Sequence, residues 1–141
     1  MTGCSVCDYL RKLTPDQTIL QNEHWIAGPM LDVPGWVMLM TRQHREGVWS
    51  LSDAEAASFG PAVRDIASAL VETVGAERVH LAAQGEVALH YHCGLLPRRP
   101  GETPVFNSMD LVARAEHAAD PVTARAVAAR LADNLQLTPA D

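Results

Sequence analysis

His90-Tyr91-His92-Cys93-Gly94-Leu95-Leu96-Pro97-Arg98 sets two imidazoles two residues apart in an apolar run. Side chains alternate along a strand. A strand here turns His90, His92, Gly94 and Leu96 to one side, and Leu89, Tyr91, Cys93 and Leu95 to the other. The second set makes a core face. The first places two imidazoles about 7 Å apart, at about 3.3 Å per residue. Imidazole titrates near neutrality, ligates metals and serves as base or nucleophile. The pair reads as a site; the competing reading is two structural histidines.

Outward from this strand, Arg78 to Ala83 reads as a neighbouring strand. Gln84-Gly85-Glu86 between the two is short enough for an antiparallel hairpin. Upstream, Ser52-Asp53-Ala54-Glu55 is a capping box. Phe59, Val63, Ile66, Leu70 and Val74 follow at steps of three or four, so a long helix buries one face. Gly60-Pro61 should kink it and Gly75 should end it. Trp36 to Met40 reads as a buried strand after the turn Asp32-Val33-Pro34-Gly35. Thr18-Ile19-Leu20 and His24 to Ala27 read as a short hairpin. Asp120-Pro121 opens a last helix with a stripe of Ala124, Val127, Leu131 and Leu135. The expected fold is α+β: one domain over 1–99, then a hinge at Pro100 to Pro104 and a helical extension over 100–141 packed on it.

The bounds agree with a single core. The chain has 141 residues, 48% apolar and 20% charged, enough for a globular domain. Its net charge of -6 gives no general attraction to nucleic acid or anionic membrane. A small phosphorylated ligand needs only local groups and stays open. No run of about 18 apolar residues occurs, and the N-terminus lacks signal-peptide layout, so a cytoplasmic location is expected.

Three cysteines do not close a disulfide set, and Cys4-x-x-Cys7 reads as a metal or redox pair. Tetrahedral zinc takes four N or S ligands, often two from each of two segments. His44, after a strand, and His90 are the other two candidates. The alternative is a reduced pair beside a capping histidine. Cys93 reads as a buried thiol, Trp25 and Trp49 as packing, His24 and His117 as surface residues. His80 takes no role.

The order of these pieces resembles the histidine triad (HIT) superfamily of nucleotide hydrolases and transferases. The resemblance covers residues 4–99: Cys4-x-x-Cys7, the strand after Pro34-Gly35, Arg42-x-His44, Leu51 with Ser52-Asp53-x-Glu55, and His90-x-His92 closed by Pro97-Arg98. It implies a compact α+β fold with an antiparallel sheet, a homodimer, and one structural Zn2+ on Cys4, Cys7, His44 and His90. It implies that His92 attacks a nucleoside α-phosphorus to give a nucleotidyl-histidine, resolved by water or another acceptor, with no catalytic metal. Met30, Leu31 and Asp32 fall where such proteins hold base and ribose. Trp36, Glu86 and Arg98 complete the expected nucleotide-binding set.

The departures are as informative. Gly94 stands where the motif has its third histidine. Trp36 stands where the family has Gly-His entering its strand. Glu86 and Val87 stand where a Gln and a Ser or Thr hold phosphate and leaving group. Because a large residue can fill space a small one frees, the Trp36 indole is expected to lie over Gly94 beside His92. Three readings follow: a hydrolase or nucleotidyl transferase using His92, a binding module of the same fold for a nucleotide or protein partner, and a member retooled for a non-nucleotide substrate or an extra metal.

Overall fold

The computed structural model describes residues 3–137. Residues 1–2 and 138–141, which the segment bounds 1–99 and 100–141 take in, lie outside the described residues. Helix α1 (Ser5–Lys12) starts at Cys4, whose sulfur accepts the Cys7 amide at 3.3 Å. Strands β1 (Leu20–Gln21) and β2 (Trp25–Pro29) form the expected hairpin. Its turn is set by Asn22, whose Oδ1 accepts the amides of His24 and Trp25 at 3.0 and 2.8 Å. Strand β3 (Val37–Thr41) follows. Helix α2 (Asp53–Val74) opens where expected, with Ser52 Oγ accepting the Glu55 amide at 3.1 Å. It runs as one helix through Pro61 and ends at Gly75, whose φ of 70° is the left-handed conformation glycine adopts without strain.

Strands β4 (Arg78–Ala82) and β5 (His92–Arg98) complete one sheet, ordered β1-β2-β3-β5-β4, with every neighbouring pair antiparallel. The α+β fold is as expected. The period-2 rule sorts the two faces. Trp25, Ala27, Val37, Leu39 and Leu95 meet Ile66, Ala69 and Leu70 of α2 in the main core. Helix α4 (Pro121–Leu137) adds Val127, Ala128 and Leu131 to the same core. The opposite face carries Met38, Met40, His92, Gly94 and Leu96, covered by α1 at one end and by α3 (Ser108–Ala118) at the other.

Three features depart from the sequence reading. The β4–β5 connection runs from 83 to 91, not through three residues, and β5 starts at His92. The reason lies in the pairing of residues 90–91. The Tyr91 amide donates to Arg45 O at 2.6 Å and its carbonyl accepts the Thr41 amide at 3.3 Å, so this stretch follows β3 and leaves β4. Leu89 is consequently exposed and not in the core. Helix α3 was not foreseen. Its start is an Asn107–Asp110 capping box: Asn107 Oδ1 accepts the Met109 and Asp110 amides, and Asp110 Oδ2 accepts the Asn107 amide. Among the described residues, no helix is long and apolar enough to cross a membrane.

Candidate metal centre and adjoining pocket

Cys4 and Cys7 face each other across the first turn of α1, because a helix N-cap and the residue three along share one side. His44 follows β3 and His90 precedes β5, and the pairing of those strands carries both rings to the cysteines. Cys7 Sγ lies 3.3 Å from His90 Nδ1 and 3.5 Å from His44 Nδ1, and Cys4 Sγ lies 3.7 Å from His90 Nδ1. All four donor atoms fall within 4.8 Å of one another. Ligands at about 2.0–2.3 Å on a tetrahedron sit about 3.3–3.8 Å apart. The donor set and its spacing therefore fit one tetrahedral metal ion.

The surroundings prepare these ligands. His90 is 1% exposed, and its Nε2–H donates to Thr41 O at 2.8 Å. That bond leaves the Nδ1 lone pair on the cysteine side, the outer contact a metal-bound histidine needs. Burial holds the His90 pKa below its ordinary value, so the ring is kept neutral. Burial also pushes the Cys7 thiol up, with Cys4 beside it adding to the effect. Two adjacent thiols, one buried and one half-buried, resist ionising together unless a cation compensates them.

His92 sits two residues on, at the first position of β5, and its ring lines a cavity of about 530 Å³. Its Nδ1 is 2.7 Å from His90 O. A carbonyl only accepts, so Nδ1 carries a proton, and in the neutral ring it is Nε2 that keeps the lone pair. The cavity lies on the sheet face between α1 and α3. Met38, His92 and Leu96 form its floor, Val6 and Tyr9 one wall, and Leu111, Val112 and Ala115 the other. The Tyr9 hydroxyl donates to Pro29 O at 2.6 Å, and burial, with Asp32 adding, pushes its pKa up to about 12.

The expected nucleotide-binding residues divide. Met30, Leu31, Trp36 and Glu86 line the cavity with His92, Glu86 exposed at its edge. Asp32 does not line it; it is exposed beside a smaller depression with Tyr9 and Lys12. Leu31 and Asp32 both have left-handed backbone, φ 54° and 55°. Asp tolerates that region, but leucine pays strain for it, and such strain gathers at binding loops. Arg98 is not brought to the cavity: it stands at the far end of β5, paired with Glu77 at 3.0 Å.

The indole of Trp36 is not what covers Gly94. A Cβ built on Gly94 would meet Met30 Sδ at 3.1 Å, Leu96 Cδ2 at 3.3 Å and Met30 Cε at 3.5 Å. Register explains the correction. Gly94 pairs with Met38, two residues along from Trp36, and Trp36 packs with Leu96 and Val33 instead. The thioether of Met30 therefore takes the place beside His92. The sequence reading also missed the walls, Val6 and Tyr9 of α1 and Leu111, Val112 and Ala115 of α3. The Asn107-x-x-Asp110 box was the available signal for α3.

Neither a family model nor a curated protein matches the chain. Solved structures do. A HIT-like protein involved in cell-cycle regulation from Bartonella henselae, crystallised with an unknown ligand, superposes with a TM-score of 0.74 at 14% identity, over 95% of this chain and 97% of that one. A hypothetical histidine triad nucleotide-binding protein from Sulfolobus tokodaii gives 0.74 at 15% identity, over 94% and 92%. A zinc-bound histidine triad family protein from Mycobacterium smegmatis gives 0.72 at 17% identity, over 95% and 96%. The chain has the histidine triad fold.

Proposed function

We propose that this chain is a histidine triad protein that hydrolyses or transfers at a nucleoside α-phosphate, with His92 as nucleophile. One observation carries the reading: His92 gives its Nδ1 proton to His90 O at 2.7 Å, which leaves Nε2 as a lone pair in a ring that lines the cavity. A neutral imidazole held in one tautomer is the form that attacks phosphorus. Nε2 bonds to the α-phosphorus as the leaving group departs, and water or another acceptor then displaces the nucleotidyl group. Among the described residues, the amides of residues 84–89 make no backbone hydrogen bond. They are available to cradle phosphate oxygens. Met30 and Leu31 offer the base an apolar wall.

Zn2+ fits the Cys4, Cys7, His44 and His90 donors and is proposed as structural. Its contribution is folding free energy and thiols held as thiolates. A reducing compartment such as the cytoplasm suits such a site. A homodimer is proposed on the exposed Leu81 of edge strand β4 and Val71 of α2, 56% and 50% exposed. A second reading, a binding module without turnover, is favoured by Gly94 in place of a third histidine. A nucleoside 5′-(4-nitrophenyl phosphate) diester decides between them, because its leaving group needs no proton. The enzyme reading expects a burst of about one nitrophenolate per chain, absent in His92→Asn. Ligand binding without a burst contradicts it.

A further inference from the structure

Resting on the reading of the His92 cavity as the substrate site, we infer that Tyr9 is a positioning residue. Its hydroxyl holds the turn after Pro29 in the strained backbone that carries Met30 and Leu31 onto the cavity wall.

The sheet explains why Pro29 needs this partner. Strand β1 pairs with β2 at Ile26 and Ala27, and the Ile19 amide donates to Ala27 O at 2.8 Å. Carbonyls two residues apart on a strand face the same neighbour. Pro29 O therefore points the same way as Ala27 O, past the end of β1. There the chain has turned aside: the Thr18 amide is given to Pro15 O at 3.2 Å. Pro29 is buried, so its carbonyl needs a donor from elsewhere. The Tyr9 hydroxyl supplies it at 2.6 Å and stands in for the missing strand.

Gly28 leaves room for the phenol. A Cβ there would meet Tyr9 Oη at 2.5 Å and Leu13 Cδ1 at 2.8 Å. The close approach of hydroxyl to backbone thus depends on a residue without a side chain.

The segment that follows needs holding. Leu31 and Asp32 have φ of 54° and 55°, a region in which leucine is strained. Inside the turn, the Val33 amide donates to Met30 O at 3.2 Å and the Trp36 amide to Val33 O at 3.0 Å. Two bonds from outside close on its flanks: Tyr9 on Pro29 O, and the Asp120 amide on Asp32 O at 2.8 Å. Met30 and Leu31 line the cavity in this form of the turn. Removing the hydroxyl leaves a buried acceptor unpaired. The turn then relaxes toward water and takes both side chains off the wall.

Tyr9→Phe keeps the ring and removes the donor. KM for a nucleoside 5′-(4-nitrophenyl phosphate) diester should rise about tenfold, with kcat changed by about threefold at most. Gly28→Ala, which displaces the hydroxyl, should raise KM in the same way. Hydrogen exchange reads the turn without any ligand. The amides of Met30, Val33 and Trp36 should exchange about tenfold faster in Tyr9→Phe, while those of α2 keep their wild-type rates. Glycine adopts the left-handed region freely, so in a Leu31→Gly background Tyr9→Phe should raise KM by about twofold at most. Exchange as slow as in the wild type overturns the inference, and so does a tenfold rise undiminished by Leu31→Gly. If the wild type shows no burst with the diester, the reading of His92 falls and exchange alone decides the role of Tyr9. If the burst is present and Tyr9→Phe matches the wild type in exchange and KM, the role of Tyr9 alone falls.

Discussion

The backbone carbonyl of His90 accepts the Nδ1 proton of His92 at 2.7 Å, while the imidazole of His90 turns to Cys4 and Cys7. One residue thus belongs to the candidate metal-ligating group and fixes the tautomer of its neighbour. The alternation of a strand makes this possible, because a carbonyl two residues back lies beside the ring it orients. Replacing His92 by Asn removes the proposed nucleophile from a half-buried site and leaves the core intact. Turnover should fall by about 10³-fold or more with little change in melting temperature. Steady-state kinetics and a melting curve check both halves.

Cys4, Cys7, His44 and His90 should hold one Zn2+ per chain. Elemental analysis of tag-free protein reads the stoichiometry directly. Cys4→Ser or Cys7→Ser should lose the metal and lower stability by at least about 3 kcal/mol, because metal bound by the folded form alone adds to folding free energy. Zinc below about 0.1 equivalent in a stable wild-type protein contradicts the assignment.

Glu55 is 3% exposed and pairs with Arg45 at 2.6 Å. Hydrogen bonds from Arg45 hold its pKa below the ordinary value, against the opposing effect of burial. A carboxyl whose folded pKa is depressed stabilises the fold above its unfolded value, about 4.3. That stability is lost as pH falls through the folded pKa. Glu55→Gln should lower the melting temperature at neutral pH and flatten its fall toward acid. Melting curves from pH 7 down to 3 measure this; an unchanged acid limb argues that the pair contributes nothing.

Gly94→His must displace the Met30 thioether, whose sulfur lies 3.1 Å from the new Cβ. The clash should cost about 1–3 kcal/mol. Met30→Ala should relieve it, and a double-mutant cycle should couple the two positions by about 1 kcal/mol or more. Coupling with Trp36 should be smaller. The reverse order would restore the arrangement expected from side-chain volume alone.

Local rules made much of the fold legible. The capping serine Ser52, the stripe from Phe59 to Val74 and the left-handed Gly75 each act through neighbours in sequence, and the structure has all three. The alternation from His92 to Leu96 sorts the faces of β5 as read. What was misread depends on partners far along the chain. Tyr91 bonds Arg45 and Thr41, which draws 90–91 away from β4 and lengthens the loop. Gly94 and Trp36 invited pairing by size, but register sets them apart and brings in Met30 from a turn. Helix α3 was hidden by its weak apolar pattern, since Leu111, Ala115 and Ala118 pack inward while Met109 and Val112 stay largely exposed. In the site, the cysteine and histidine spacing could be read, because ligand chemistry restricts residue types. The cavity walls could not, because apolar side chains on separate helices carry no mark of what they enclose.

The most direct test of His92 as nucleophile is to trap the intermediate. Wild-type protein is mixed with a nucleoside 5′-(4-nitrophenyl phosphate) diester, quenched within the burst, digested and mapped by mass spectrometry. The account predicts one nucleotidyl group on the peptide carrying His92, labile to acid and absent from His92→Asn. An adduct on any other residue, or turnover with no adduct and an active His92→Asn, contradicts it.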